Sequence, residues 1–274
     1  MNKDLIIDTD LVIKILTGFI FTEIKRAGFD KAVVNTSGGL DSSVSLALTV
    51  KALGAKNVMA LCLPHRTSSP ESLEHATLLI NQLGCVTNTI PISEIAEPYF
   101  VSLPEINNVR RGNLMARIRM MLAYDQSEAF HGLVVGTSNK TEILLGYTTL
   151  YGDSVSAINP IGDLYKTQVR QLAEALNIPE IIISKPPTAD LWNGQTDEGE
   201  LGFTYEKVDQ LLFLLIDKRY RPEECVEAGF EENFVNRVAD RIRRNQFKRV
   251  LPPIAKLGNR TIGYDFLYLR DWGT

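Results

Sequence analysis

The sequence predicts an α/β fold: a single doubly wound, mainly parallel sheet flanked by helices. Two observations predict it. Short apolar, β-branched runs alternate with longer helical segments up to about residue 184, the pattern of parallel strands joined by helical crossovers. Two of those runs lead into polar turns, NTSGGLDSS at 35–43 and GTSNKTE at 136–142, where parallel sheets bind ligands, beyond the strands' carboxyl ends. The 274 residues, 45% hydrophobic and 23% charged, suffice for one large domain with a core of its own.

The elements follow in order. Residues 11–27 read as an amphipathic helix capped from the stretch Asp8-Thr9-Asp10. Residues 31–35 form a buried strand, and 40–53 a helix closed by Gly54. A second strand covers 57–63 and stops at Pro64; a helix at 72–83 is closed by Gly84; a third strand covers 86–90. Residues 108–130 make a long helix, and 132–136 a fourth strand that enters the turn at 137–142. Another helix covers 164–176, and a final strand is expected near 180–184. Residues 185–202 hold two prolines, three glycines and many polar side chains, and so read as a long functional loop. Helical segments at 205–218 and 231–247 follow, with no repeat, low-complexity tract or linker. The expectation is one domain over 1–274.

Composition excludes several classes. A net charge of −4 argues against a nucleic-acid groove. The apolar stretch at 12–24 is interrupted by Lys14, Thr17, Gly18 and Glu23, so no membrane span is expected. The start lacks the features of a signal peptide. Cys62, Cys85 and Cys225 are scattered, which fits a reducing cytoplasm, and neither they nor His65, His75 and His131 have zinc-ligand spacing.

The turn at 35–43 carries the chemistry. Gly38 and Gly39 allow a sharp turn whose N–H groups, with the next helix N-terminus, form a pocket for an anion such as phosphate. Ser37, Ser42 and Ser43 add hydroxyls. Asp41 would repel a bare phosphate, and makes sense if Mg2+ bridges the two. The spacing is neither that of a Walker loop nor of a dinucleotide fingerprint. The plain alternative is a strand-to-helix turn in which Asp41 merely complements the helix dipole.

SGGLDS at 37–42 resembles the SGGxDS pyrophosphate loop of the ATP pyrophosphatases, which adenylate a substrate and release pyrophosphate. RGNLMARIRM at 111–120, GTSNKTE at 136–142, YGD at 151–153, Asn159-Pro160, LYKT at 164–167 and KPPTADL at 185–191 come in one order. Together they are similar to the ammonia-dependent NAD synthetases, over most of the chain. The resemblance implies a Rossmann-like fold of the adenine nucleotide alpha-hydrolase type. It implies that deamido-NAD, ATP and ammonia give NAD, AMP and pyrophosphate through an acyl-adenylate. It also implies a homodimer with deamido-NAD partly across the interface.

It further implies site roles. Asn35, Thr36, Ser37, Gly38, Gly39, Leu40, Asp41 and Ser42 would hold ATP, with Thr137, Lys166 and Thr188; Asp41 and Glu142 would hold Mg2+. Asp153 would serve ammonia, so that Asp41, Asp153 and Lys166 form the catalytic set. Asn113 and Arg117, four apart on one helical face, and Lys248 would meet deamido-NAD. Arg110, Arg111 and Arg119 crowd the same region, where a solvated basic face is the plain reading. Leu150, Ala157 and Phe247 stand where many members carry lysine, aspartate and histidine, so these substrate-contact positions depart from the family pattern. Only 34 residues precede Asn35, so no glutaminase domain is expected there, and ammonia would be free or come from a separate donor. The alternatives are another adenylating amidotransferase such as a GMP synthetase, a tRNA-modifying enzyme, or a non-catalytic nucleotide-binding protein.

Overall fold

Apolar runs bounded by turn residues form parallel strands: β1 (Lys31–Asn35), β2 (Val58–Cys62), β3 (Val86–Thr89) and β4 (Gly132–Val135), in the order β3-β2-β1-β4. The computed structural model describes residues 3–188, 190–192 and 194–267; Ala189 and Asn193 of the expected loop at 185–202, and the ends of the expected 1–274 domain, lie outside the described residues. In register, Ala32 lies beside Val58 and Leu133, and Met59 beside Val86.

The helices are α1 (Thr9–Arg26), α2 (Leu40–Leu53), α3 (Pro70–Leu83), α4 (Ser93–Val101), α5 (Asn108–Phe130), α6 (Lys140–Leu145), α7 (Lys166–Ala175), α8 (Glu180–Ile183), α9 (Asp197–Leu201), α10 (Tyr205–Leu212), α11 (Pro222–Glu227) and α12 (Glu232–Arg244). Strand side chains alternate between two faces. Ala32, Val34, Val58, Ala60 and Cys62 pack in one layer with Ile20, Ile24, Leu46, Leu48 and Leu172 of α1, α2 and α7. Val33, Met59, Leu61 and Val134 pack in the other with Phe100, Met115 and Ile118 of α4 and α5. Covering both faces is what a parallel sheet requires. A third cluster joins Leu145 of α6 to Val208, Leu211, Cys225, Phe234 and Val238 of the last helices.

The chain winds from β1 outward to β3 and then returns to place β4 on β1's other edge. The crevice at that reversal receives the turns that follow β1 and β4, the place where such folds bind ligands.

One expected element is corrected. Residues 180–184 are not a strand but the short helix α8, with Ile182 N–H bonded to Pro179 O and Ser184 N–H to Glu180 O, both at 2.8 Å. Pro179 opens the turn, and Ile182 and Ile183 bury against the α1–α2–α7 layer. Beside β4 an isolated bridge pairs Val135 with Ile158 instead. The expected helix at 205–218 becomes π-helical over Phe213–Asp217, and that at 231–247 ends at Arg244 before a 3-10 turn at Gln246–Arg249. Helices α4, α6 and α11 were not expected, and α9 lies inside the expected loop.

Candidate active site

The turn between β1 and α2 is shaped by Gly38. Its φ is +78°, and a Cβ there would stand 2.0 Å from Ser72 O of α3, so only glycine fits. Gly39 is the N-cap of α2 and has no side chain to cap it; the first N–H groups of α2 are therefore free for an anion. Ser42 Oγ donates to Gly39 O (3.0 Å) and accepts from Ser37 N–H (3.3 Å), which closes the turn on itself.

Below the turn three charges meet. Asn139 caps α6: its Oδ1 accepts from Glu142 N–H (3.0 Å), and Glu142 Oε2 accepts from Asn139 N–H (3.3 Å), a capping box. Asn139 Nδ2 also donates to Asp41 Oδ1 (2.9 Å) and so fixes α6 to the turn. Lys166, at the first position of α7, puts Nζ between Asp41 Oδ2 and Glu142 Oε1, the latter at 3.4 Å. Burial, followed by the charge of Asp41, pushes the Glu142 carboxyl up to about 8. Burial alone would lower the Lys166 ammonium, but Asp41 and Glu142 outweigh it and leave it raised.

These groups line a cavity of about 1150 Å³ together with Asn35, Thr36 and Thr137. On its far side Asn113 Oδ1 accepts from Thr149 Oγ1 (2.8 Å), and Asp153 Oδ1 from Thr149 N–H (2.7 Å). Asp153 lines the cavity with an exposed surface, yet the protein atoms around it desolvate the carboxyl enough to raise it. Lys248 donates to Gly146 O and Thr148 O, each at 2.7 Å; desolvation lowers its ammonium, against the pull of Asp153. Thr188 lines the cavity too, but its hydroxyl donates to Gln195 O (2.8 Å).

Gly38 is buried behind the lining, against α3. Arg117, Leu150, Ala157 and Phe247 do not line the cavity. Arg117 is exposed and donates from Nε to Leu150 O (3.3 Å); Phe247 is 57% exposed. The sequence reading missed Asp197, which is buried in α9 and accepts from Tyr205 O–H (3.1 Å) and Tyr147 O–H (3.3 Å) beside Lys166. It also missed Asp190, whose carboxylate accepts from Ser69 N–H (3.0 Å) and Ser72 Oγ–H (2.8 Å), tying the 185–202 segment to α3. A carboxylate inside a polar loop gives no periodic signal; Asp190 falls within the KPPTADL motif at 185–191 but nothing there marked its role, and nothing marked Asp197.

A phosphate-sized turn facing carboxylates and a lysine across a doubly wound sheet's reversal defines a nucleotide-using α/β enzyme. A family model described as NAD synthase matches residues 12–252. The NH(3)-dependent NAD(+) synthetase of Pelodictyon phaeoclathratiforme is 53% identical over 270 residues, 98% of each chain. Among solved structures, NMN synthetase from Francisella tularensis superposes with a TM-score of 0.82 at 30% identity, covering 91% of this chain and 99% of that one. The NH3-dependent NAD synthetase from Campylobacter jejuni gives 0.78 at 33% identity, covering 91% and 100%. The chain belongs to the NAD synthase family and is a ligase that forms a carbon–nitrogen bond.

Proposed function

We propose that the cavity joins ammonia to deamido-NAD at the expense of ATP, in two steps. The observation that carries this is the convergence of Asp41, Glu142 and Lys166 beneath the uncapped N-terminus of α2. ATP phosphates lie on that turn. A carboxylate oxygen of the nicotinate attacks the α-phosphorus, the bond from that phosphorus to the bridging oxygen breaks, and pyrophosphate leaves with the electron pair. Ammonia then attacks the acyl carbon and AMP leaves. A site that seals out water protects the adenylate, and Asp190, bound to α3, holds the 185–202 segment over the cavity.

Mg2+ fits Asp41 and Glu142. Both carboxylates already converge on one cationic atom, Lys166 Nζ. Among the described residues no cluster of three or more His, Cys, Asp or Glu could hold a metal alone, but Mg2+ usually takes one or two carboxylates plus substrate phosphates. Bound there, it would neutralise charge gathering on the departing pyrophosphate. With the metal there, Lys166 would be released from Asp41 and Glu142 to meet the phosphates. Asp153 holds ammonium and takes its proton, a task for which a raised carboxyl is the better base.

Arg117, Leu150, Ala157 and Phe247 lie outside the cavity and touch deamido-NAD only where it runs out over the surface toward a second copy; the homodimer supplies that continuation. Ammonia arrives free or from a separate donor. The chain works in the cytoplasm: its three cysteines are free and buried. Among the described residues no helix is long and apolar enough to cross a membrane. One observation favours a second acceptor. The departing positions 150, 157 and 247 offer the nicotinate side of the substrate no charge, and a solved relative is an NMN synthetase, so the mononucleotide analogue belongs in the same assay.

The test is AMP release from ATP with deamido-NAD, with its mononucleotide counterpart, and with a GMP-pathway substrate, each with and without ammonium. Ammonium-dependent AMP release with deamido-NAD is expected. Release with the GMP-pathway substrate alone overturns the proposal, and a strong preference for the mononucleotide replaces the acceptor.

A further inference from the structure

Arg119 is a half-buried cation that nothing in the proposed reaction uses. It lies on α5 four residues after Met115 and four before Ala123, so a helix puts all three on one stripe. Met115 and Ala123 belong to the apolar layer between α5 and the sheet, with Val33, Leu61 and Val134. Arg119 is thus the charged member of a sheet-facing stripe, whereas Arg117, two positions away, points to solvent.

Its side chain makes one hydrogen bond among the described residues, from Nε to Leu63 O (3.0 Å), just past the carboxyl end of β2. That anchor is next to the phosphate turn, because the neighbouring strand pairs Thr36 N–H with Leu61 O at 2.9 Å. No carboxylate among the described residues lies within ion-pair distance of it. Asp153 and Asp190 act on it only from further off. Arg119 lines the same cavity as the turn that would take ATP and as Asp153, which would take ammonia.

A guanidinium does not lose its proton in proteins. Holding one in a cavity wall without a counter-ion is unfavourable. Nε bonded to a carbonyl fixes the plane of the fork and leaves the terminal N–H groups free for the cavity. A fixed planar fork is the geometry that binds carboxylate and phosphate oxygens in pairs.

We propose that Arg119 is a catalytic residue that binds the substrate's carboxylate and the α-phosphoryl oxygens together, holding the attacking oxygen in line with phosphorus. The counter-ion missing from the free protein is the reacting pair itself. As the new carboxyl–phosphorus bond forms and the bond to pyrophosphate breaks, charge on the non-bridging α-oxygens stays within the fork. Lys166 and the α2 N-terminus serve the β- and γ-phosphates; Arg119 serves the atoms that change partners. This rests on the adenylation proposed above.

The test compares wild type with Arg119→Ala, Arg119→Met and Arg119→Lys. Adenylation alone is read by exchange of labelled pyrophosphate into ATP, dependent on deamido-NAD. ATP binding is read separately with the unreactive α,β-methylene analogue. Arg119→Ala and Arg119→Met are expected to lose at least ~100-fold in kcat for exchange, the scale of one strong electrostatic contact. Affinity for the analogue should change far less, and the melting temperature should not fall, because an unpaired charge has gone from the cavity wall. Added guanidinium ion should restore part of the Arg119→Ala activity, and Arg119→Lys should keep a fraction. Near-normal exchange in Arg119→Met overturns the proposal. So does a loss that guanidinium does not relieve and that appears equally in analogue affinity and thermal stability; Arg119 then only supports the Leu63 carbonyl. Wild-type protein without any exchange activity would instead refute the adenylation reading itself.

Discussion

Lys166 and Asp153 line one cavity, and the proposed reaction gives them different steps. If Lys166 answers to phosphate, Lys166→Ala should cut pyrophosphate exchange by at least ~100-fold. It also leaves Asp41 and Glu142 facing each other without a cation, so the ligand-free protein should melt earlier and regain stability with Mg2+. If Asp153 answers to ammonia, Asp153→Asn keeps size and polarity but loses charge and basicity. Exchange should survive, the ammonium response should weaken, and higher pH should relieve part of the defect by supplying neutral ammonia. An Asp153→Asn enzyme as defective in exchange as Lys166→Ala would place Asp153 with the adenylating groups. Glu142 sets a pH dependence. Its folded carboxyl is raised to about 8 against an ordinary 4.5, so the folded state binds its proton more tightly than the unfolded. That contribution is full below about 4.5 and is lost as pH rises through about 8. Melting of the ligand-free protein should therefore drop progressively as pH rises from about 4.5 to about 8, Glu142→Gln should flatten the curve, and a flat wild-type profile would refute the shift. At this scale the sequence displays groups that share a local motif. Asp41 is read from its glycine turn and Glu142 from the strand end it follows, although the structure adds that Glu142 closes a capping box as well. Asp190, Asp197 and the use of Arg119 are not visible there, because each acquires its meaning from a partner far along the chain.

Among the elements, the strand-to-helix turn tolerates least. Gly38→Ala requires both a left-handed backbone and space that Ser72 O already fills at 2.0 Å. The turn must shift off α3, so ATP affinity and exchange should fall together by more than tenfold while secondary structure, followed by circular dichroism, stays near normal. Retention of ATP affinity would mean the turn does not carry the phosphates. The 185–202 segment depends on a different tie: removing Asp190 by Asp190→Ala deletes its bonds to Ser69 and Ser72. Trp192, two residues on, packs near Gly112 of α5, and its emission should shift to the red as the segment loosens. An unchanged spectrum would show that the carboxylate is not what holds it. The long elements were legible because repeated alternation of apolar runs and helical periods leaves few other readings. Short helices such as α4, α6 and α11 were not, since a few capped turns offer no repeated period to read. Three consecutive isoleucines at 181–183 carry strand propensity, yet no strand neighbours them; burial against the α7 layer decides their conformation instead.

For the molecule as a whole, the unpartnered surface of α5 bears on assembly. Ile118 and Leu122, which the sequence could assign either to a core or to an interface, pack against the sheet. Met121 does not: it is 52% exposed, and Arg117 and Tyr124 lie four before and three after it on the same exposed stripe. An apolar stripe ending at an arginine beside Leu150 O is what a homodimer would bury while carrying the far end of deamido-NAD over the cavity's edge. Burying a carboxylate at the centre of such a contact is strongly unfavourable. Met121→Glu should therefore shift the protein to monomers in sedimentation at assay concentration. If Arg117 reaches the dinucleotide only through the pairing, KM for deamido-NAD should rise more than tenfold, with ATP affinity nearly unchanged. The mononucleotide, which on this reading would not extend to the interface, should be affected much less. Wild-type protein that sediments as a monomer while fully active, or a monomeric Met121→Glu enzyme with unaltered KM for deamido-NAD, would remove the interface from the reaction and leave the cavity of a single chain to bind the whole substrate.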